Sequence, residues 1–175
     1  MTTWKIDPSH SDVQFKIKHL MITTVTGQFA KFDGTMQTTT DNDFSTANIS
    51  FEADINSIST QNAQRDQHLL AADFFEAEKY PKLTFVSKEV KKIDAENYKL
   101  VGDLTIRDNT RPVELNVEFG GEVVDPYGQT KAGFELTGKI NRKDFGLTFH
   151  ATTETGGLLL SDEVKLLASV QMVKQ

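Results

Sequence analysis

The stretch 98–107, YKLVGDLTIR, decides the fold class. Tyr98, Leu100, Leu104 and Ile106 share one parity about Gly102, while Lys99, Asp103 and Arg107 occupy the other. A two-residue period is that of a β-strand with one buried and one solvated face. Outward from this stretch the pattern repeats. Before it stand Val13, Phe15 and Ile17 leading to His19, then Ile49, Phe51, Ala53 and Ile55, then Leu83 and Phe85. After it, Val113, Leu115, Val117 and Phe119 alternate with Glu114, Asn116 and Glu118. Phe134, Leu136 and Ile140 follow, and Val164, Leu166, Ala168, Val170 and Met172 close the chain.

Between 25 and 36 the phase changes, with Phe29 on one parity and Phe32 and Met36 on the other. A bulge near Ala30 or Lys31 restores the register. About eight strands result, joined by turn-like clusters such as Asp125-Pro126-Tyr127-Gly128 and Asp94-Ala95-Glu96-Asn97. Antiparallel strands with one apolar face close into a barrel or pack as a sandwich. Runs of about ten residues, against a usual ~5–6, favour a tall barrel. An eight-stranded barrel is filled by its own side chains or holds one small ligand, and alternation does not distinguish the two.

The 175-residue chain has no Pro- or Gly-rich linker and reads as a single domain, 1–175. The lack of Cys excludes disulfides, thiol nucleophiles and Cys-ligated zinc. A net charge of −6 argues against nucleic acid as a partner. The opening MTTWKIDPSH has neither the basic nor the apolar region of a secretory signal, and no run is long enough for a membrane span, so a cytoplasmic location is expected.

One segment does not alternate. In 66–85, DQHLLAADFFEAEKYPKLTF, the apolar residues Leu69, Leu70, Phe74, Phe75 and Tyr80 recur at helical spacing. Ser59 or Thr60 is expected to cap the first turn, a second turn is expected from Asp73, and Pro81 stops the helix. Burying Leu69, Phe74 and Phe75 is worth roughly 1.5–3 kcal/mol each, and the barrel is the apolar surface on offer. The segment therefore reads as a structural plug of one barrel end or as a lid that also walls and gates a ligand cavity, and the two readings are not exclusive.

These residues also carry a resemblance. Trp4, Asp7, His10-Ser11, Phe15, the run Lys18-His19-Leu20-Met21, Val25, Gly27, Phe29 and Gly34 form one block. Asn62, Arg65-Asp66, His68-Leu69, Asp73-Phe74-Phe75 and Tyr80-Pro81 form a second. Leu104-Thr105-Ile106, Pro112-Val113, Asn141-Arg142, Asp144-Phe145-Gly146 and Glu154-Thr155-Gly156-Gly157 continue it. In order and spacing these blocks resemble the YceI-like family of polyisoprenoid-binding proteins over almost the whole chain. The resemblance implies a lipocalin-like antiparallel β-barrel with a helical lid, holding a long-chain isoprenoid or similar amphiphile in a hydrophobic pore, with no cofactor and no chemistry, in a stress-related setting. Many members carry a secretion signal that this chain lacks, and Phe149-His150 and Ser161 stand where other residues are expected.

The inward parity and the lid then supply the candidate ligand-binding residues. From the strands these are Phe15, Ile17, His19, Phe51, Ile55 and Phe85, with Leu104, Ile106, Phe134 and Leu136. From the lid they are Leu69, Phe74 and Phe75. Arg65 and His68 are candidate head-group anchors, because a guanidinium grips phosphate through paired hydrogen bonds. Arg65, Asp66 and Arg142 read equally as a polar network locking the lid and the last hairpin. His10, His19, His68 and His150 lack metal-binding spacing, so no metal is expected. Adjacent residues in extended chain face opposite ways, so His10 and Ser11 make no nucleophile–base pair, and no G-x-S-x-G elbow is present. No catalytic residue is assigned. Two readings compete with lipid carriage: an enzyme on a lipid-like substrate using His19 or His68 as acid or base, and a filled barrel that binds partners through its surface. A homodimer through lids or edges is left open.

Overall fold

The computed structural model describes residues 1–41, 43–149 and 159–175. His150 and the Glu154-Thr155-Gly156-Gly157 block lie outside the described residues.

Eleven strand segments occur in chain order: β1 (Thr2–Ile6), β2 (Asp12–His19), β3 (Thr23–Phe29), β4 (Phe32–Thr38), β5 (Asn48–Asp54), β6 (Ile58–Ser59), β7 (Lys82–Lys92), β8 (Asn97–Ile106), β9 (Asn109–Val124), β10 (Thr130–Asn141) and β11 (Leu160–Lys174). Three pairs act as single kinked strands, because β1 and β2 both run along β11, β3 and β4 return along them, and β5 with β6 runs along β4 and β3. Every strand then neighbours its predecessor, and β11 pairs with β1 and β2 to close the ring. The result is an antiparallel eight-stranded closed barrel, in which the ring closes through β1 and β11 while the two-residue β6 pairs with β3 alone.

Each kink has a local cause. Between β1 and β2 the chain makes a 3-10 turn, Pro8–His10, in which Asp7 Oδ1 accepts the Ser9 amide at 3.0 Å and Pro8 supplies the fixed φ of a first position. Between β3 and β4 the inward parity passes from Gly27 and Phe29 to Gly34 and Met36, so the break lies at Ala30 and Lys31. Their amides are taken up by Ser57, through its carbonyl oxygen at 3.2 Å and its Oγ at 3.0 Å. Between β5 and β6 stands a further 3-10 turn, Ile55–Ser57.

Inward glycines make room for rings. A Cβ on Gly27 would lie 2.1 Å from the Phe15 ring, and one on Gly102 would lie 2.4 Å from the Phe85 ring and 2.5 Å from the Val86 carbonyl oxygen. The two aromatics therefore lean across neighbouring strands instead of standing upright.

The barrel has two unlike ends. At the floor, Phe44 sits on a 3-10 turn, Phe44–Thr46, capped by Asp43. Its ring inserts among Trp4, Phe119, Phe134 and Tyr98, with centroids 5.0–6.5 Å away. At the other end the segment between β6 and β7 folds over the barrel. Its helix α1 (Ala63–Leu69) is shorter than the sequence suggests and is capped by Asn62, whose Oδ1 accepts the Arg65 amide at 3.0 Å, and not by Ser59 or Thr60. No second helical turn follows from Asp73. The chain instead reverses through Glu76 at φ +50, and the Phe75 and Ala77 amides donate back to the carbonyls of Leu69 and Leu70. These reversals put Phe74 and Phe75 into the core while Leu69 and Leu70 stay half-buried. No helix among the described residues is long and apolar enough to cross a membrane.

Candidate functional site: an apolar cavity under the lid

Along β9 and β10 the inward residues are mostly half-buried, not buried, although most of their neighbours on the other parity face solvent, and on β11 residues of both parities from Leu166 to Gln171 are half-buried. Leu115, Val117, Phe134, Leu136, Ile140 and Leu166 all behave this way. An inward side chain with accessible surface has no partner atoms in front of it, which means that the barrel is not filled. An internal cavity of about 520 Å³ runs from Phe44 at the floor to Phe149 beneath the lid. This lies within the range of roughly 300–1,000 Å³ usual for small-ligand sites.

The predicted residues fall on this cavity with one exception. Phe15, Ile17 and His19 line it from β2, Phe51 from β5, Phe85 from β7, Leu104 and Ile106 from β8, and Phe134 and Leu136 from β10. Leu69, Phe74 and Phe75 line it from the lid, and Arg65 and His68 from α1. Ile55 does not line it. Alternation breaks at the 3-10 turn after β5, and Ile55 is instead 1% exposed in the core, its amide donating to the Pro81 carbonyl at 2.9 Å.

The two candidate anchors stand at the rim. The Arg65 guanidinium is committed to Thr60, donating from Nε to Oγ1 at 2.8 Å and from Nη2 to the carbonyl oxygen at 2.7 Å. Asp66 Oδ1 accepts the Thr60 amide at 2.8 Å and its hydroxyl at 2.6 Å. Thr60 is thus the hub that ties α1 to the end of β6. His68 lines the cavity with a side chain 45% exposed, so it stands between cavity and solvent. Its Nε2 lies 2.8 Å from Asp73 Oδ2, and its ring meets Phe74 and Phe149 edge-on at 5.0 and 5.1 Å. The hydrogen bond to His68 holds the Asp73 carboxyl below its ordinary pKa.

Arg142 belongs to a separate network. It is 2% exposed and donates from Nε to the Ser161 carbonyl at 2.9 Å, and from Nη1 to the carbonyls of Leu147 and Phe149 at 2.6 and 2.7 Å. Burial pulls its pKa down, and Asp162, 3.8 Å away, opposes the shift. A cation held by carbonyls fixes backbone that leaves the last hairpin, so Arg142 sets the position of Phe149 at the cavity. A third lock is Arg107, which donates to Glu76 Oε2 at 2.9 Å and to the Gly146 carbonyl at 2.8 Å, joining the lid to the turns beside it.

Phe44 and Phe149 were not among the predicted site residues. Each is a lone aromatic in irregular chain, where periodicity carries no signal. Leu115, Val117 and Leu166 have the inward parity in the sequence, and that signal alone places them. Among the described residues no three His, Asp or Glu side chains converge as a metal site.

A closed antiparallel barrel with an apolar cavity, plugged at the floor and covered by a short lid, defines the class of small lipocalin-like barrels. The chain belongs to the YceI-like domain family, whose match spans residues 4–172. It is 43% identical over 173 residues to the UPF0312 protein of Staphylococcus epidermidis strain ATCC 12228, covering 98% of this chain and 97% of the relative. It is similar to the crystal structure of the Campylobacter jejuni YCEI protein, with 37% identity, a TM-score of 0.76 and coverage of 97% and 96% of the two chains. A polyisoprenoid binding domain from Saccharophagus degradans shares the fold at 15% identity, with a TM-score of 0.65 and 98% coverage of both chains.

Proposed function

We propose that the protein binds a long-chain isoprenoid or similar amphiphile inside the barrel, as a carrier or store, without changing it chemically. The observation that carries this reading is the cavity of about 520 Å³, walled by inward apolar side chains that leave it open among the described residues. Membership of the YceI-like family and the polyisoprenoid-binding description of the Saccharophagus degradans neighbour support the choice of ligand class. Arg65 and His68 line the cavity at the lid, where His68 and the part of the Arg65 guanidinium that does not bond Thr60 suit a head group while the chain runs down toward Phe44. Affinity comes from apolar burial, about 0.8 kcal/mol per CH₂, less the cost of ordering a flexible chain. Each added carbon therefore tightens binding by at most about fourfold until the cavity is full.

The test is to purify the protein without detergent, extract it with organic solvent and identify the extract by mass spectrometry, then measure uptake of polyprenols and quinones of graded length. A stoichiometric long-chain lipid, or affinity rising with chain length to a plateau, is the expected result. Phe51→Glu, folded by circular dichroism, is expected to lose the longest ligands. An empty extract with no uptake at any length sinks the reading, and unchanged binding in folded Phe51→Glu places the ligand elsewhere.

A further inference from the structure

The hairpin joining β2 to β3 is built against its own turn chemistry. Leu20 and Met21 lie at φ +54 and +60, and the Ile22 amide donates to the His19 carbonyl at 3.2 Å, closing a turn whose two central residues are left-handed. Asn-Gly is the pair that such a turn favours, since L side chains with a Cβ are strained there. The chain instead places three apolar residues at the tip and leaves Leu20, Met21 and Ile22 37%, 50% and 79% exposed. Neither turn stability nor core packing accounts for that choice.

The tip also stands beside the cavity. His19 pairs with Leu160, the Leu20 amide donates to the Leu159 carbonyl at 2.8 Å, and His19, Leu159 and Leu160 all line the cavity wall. Behind the tip the outward face is cationic. Lys16 lies directly across from Lys165 on β11, and exposed Lys18 is two residues from Leu20. Among the described residues none of these three lysines has a carboxylate within ion-pair distance. The acidic residues nearest in sequence on β11, Asp162 and Glu163, are matched by Lys143 and Lys139. Like charges facing each other across strands are unfavourable in isolation, and they sit here in a chain of net charge −6. At about 3.3 Å per residue, Lys16 is roughly 13 Å from the tip, within reach of phosphates when the tip enters the head-group layer.

We propose that the β2–β3 hairpin docks the barrel on an anionic lipid bilayer, with Leu20, Met21 and Ile22 entering the interface and Lys16, Lys18 and Lys165 facing the lipid phosphates. Docked this way, the end of the cavity beneath the lid comes against the membrane, where an amphiphile can pass between bilayer and barrel without crossing water. The proposal rests on the lipid-binding reading for its purpose. Its observables are independent of it.

The experiment is flotation of the full chain with phosphatidylcholine vesicles, with and without one third phosphatidylglycerol, at low and high salt, beside polyprenol uptake from detergent solution. Binding to the anionic vesicles that weakens with salt is expected. The variant Leu20→Asn, Met21→Gly, Ile22→Ser gives the turn its preferred residues. It is expected to melt at or above the parent's Tm, take up polyprenol unchanged and lose flotation. Replacing Lys16, Lys18 and Lys165 by Gln is expected to weaken anionic-vesicle binding about fivefold per lysine. No flotation by the parent protein, or flotation kept by the tip variant, overturns the proposal. So does a tip that drives self-association, read as a concentration-dependent dimer that the tip variant abolishes, without vesicle binding. Polyprenol uptake persisting in any of those cases leaves the ligand reading standing, whereas vesicle binding without uptake removes that reading alone.

Discussion

Gly102 has no side chain, and the central strand β8 depends on that. The Phe85 ring and the Val86 carbonyl occupy the place a Cβ would take, so Gly102→Ala must shift backbone as well as a ring. Such overpacking costs about 1–3 kcal/mol. Chemical denaturation is expected to show a loss of that size, and an unchanged midpoint would mean that Phe85 can stand away from the wall. The inward parity of Tyr98, Leu100, Leu104 and Ile106 is visible in the sequence, and all four are buried. The lean of Phe85 over Gly102 is not visible there, because it depends on which residue the neighbouring strand brings opposite, in a register interrupted between Ser87 and Glu89. Ile55 marks the limit of the same method: parity was carried one residue past Asp54, where the strand had already become a 3-10 turn.

The lid is an element held by its ends. It has little helix of its own, and seven residues do not sustain one in isolation. What fixes it is the Thr60 hub at the start, Phe74 and Phe75 in the core, and Arg107 reaching Glu76 from the β8–β9 turn. Arg107→Ala removes hydrogen bonds to Glu76 and to Gly146, partly buried and charge-assisted, worth about 1.5–3 kcal/mol each when made to a charged group. The expected outcome is faster release of a bound apolar probe together with lowered stability. Lys82→Ala, which breaks an exposed ion pair with Glu52 on the barrel wall, serves as the control and is expected to change neither. Equal release rates in both variants would show that the lid does not limit exit. The apolar residues of the lid were legible because they break an otherwise regular alternation. Its turns were not, since Glu76 at positive φ has no sequence signature.

For the whole molecule, closure matters most, and it passes through one carboxylate. β11 must pair first with β2 and then with β1, and the chain between them turns at Asp7. The Asp7 amide donates to the Gln171 carbonyl at 2.8 Å, and its carboxylate caps the turn. Hydrogen bonds from Ser9 first, then from His10, lower the Asp7 pKa from 3.8 to about 2. A carboxyl more acidic in the folded than in the unfolded state stabilises the fold in its charged form. That contribution is complete above the unfolded value and fades as pH falls from 3.8 toward about 2. Thermal melts of the parent and Asp7→Asn are expected to differ above that window and converge within it. A gap that persists at its acid end would assign the seam to other groups. The number of strands could be read from the alternation alone, but the seam could not, because pairing between the first and last strands leaves no local pattern.

The same seam determines where anything attached to the barrel must go. The Gln175 amide donates to the Thr3 carbonyl at 2.9 Å, so both chain ends meet at the floor, beside the Phe44 plug and away from the lid. Any extension, at either terminus, departs from that floor. A tether or fused partner would hold the barrel as a stem holds a cup, leaving its covered rim free to face whatever lies opposite.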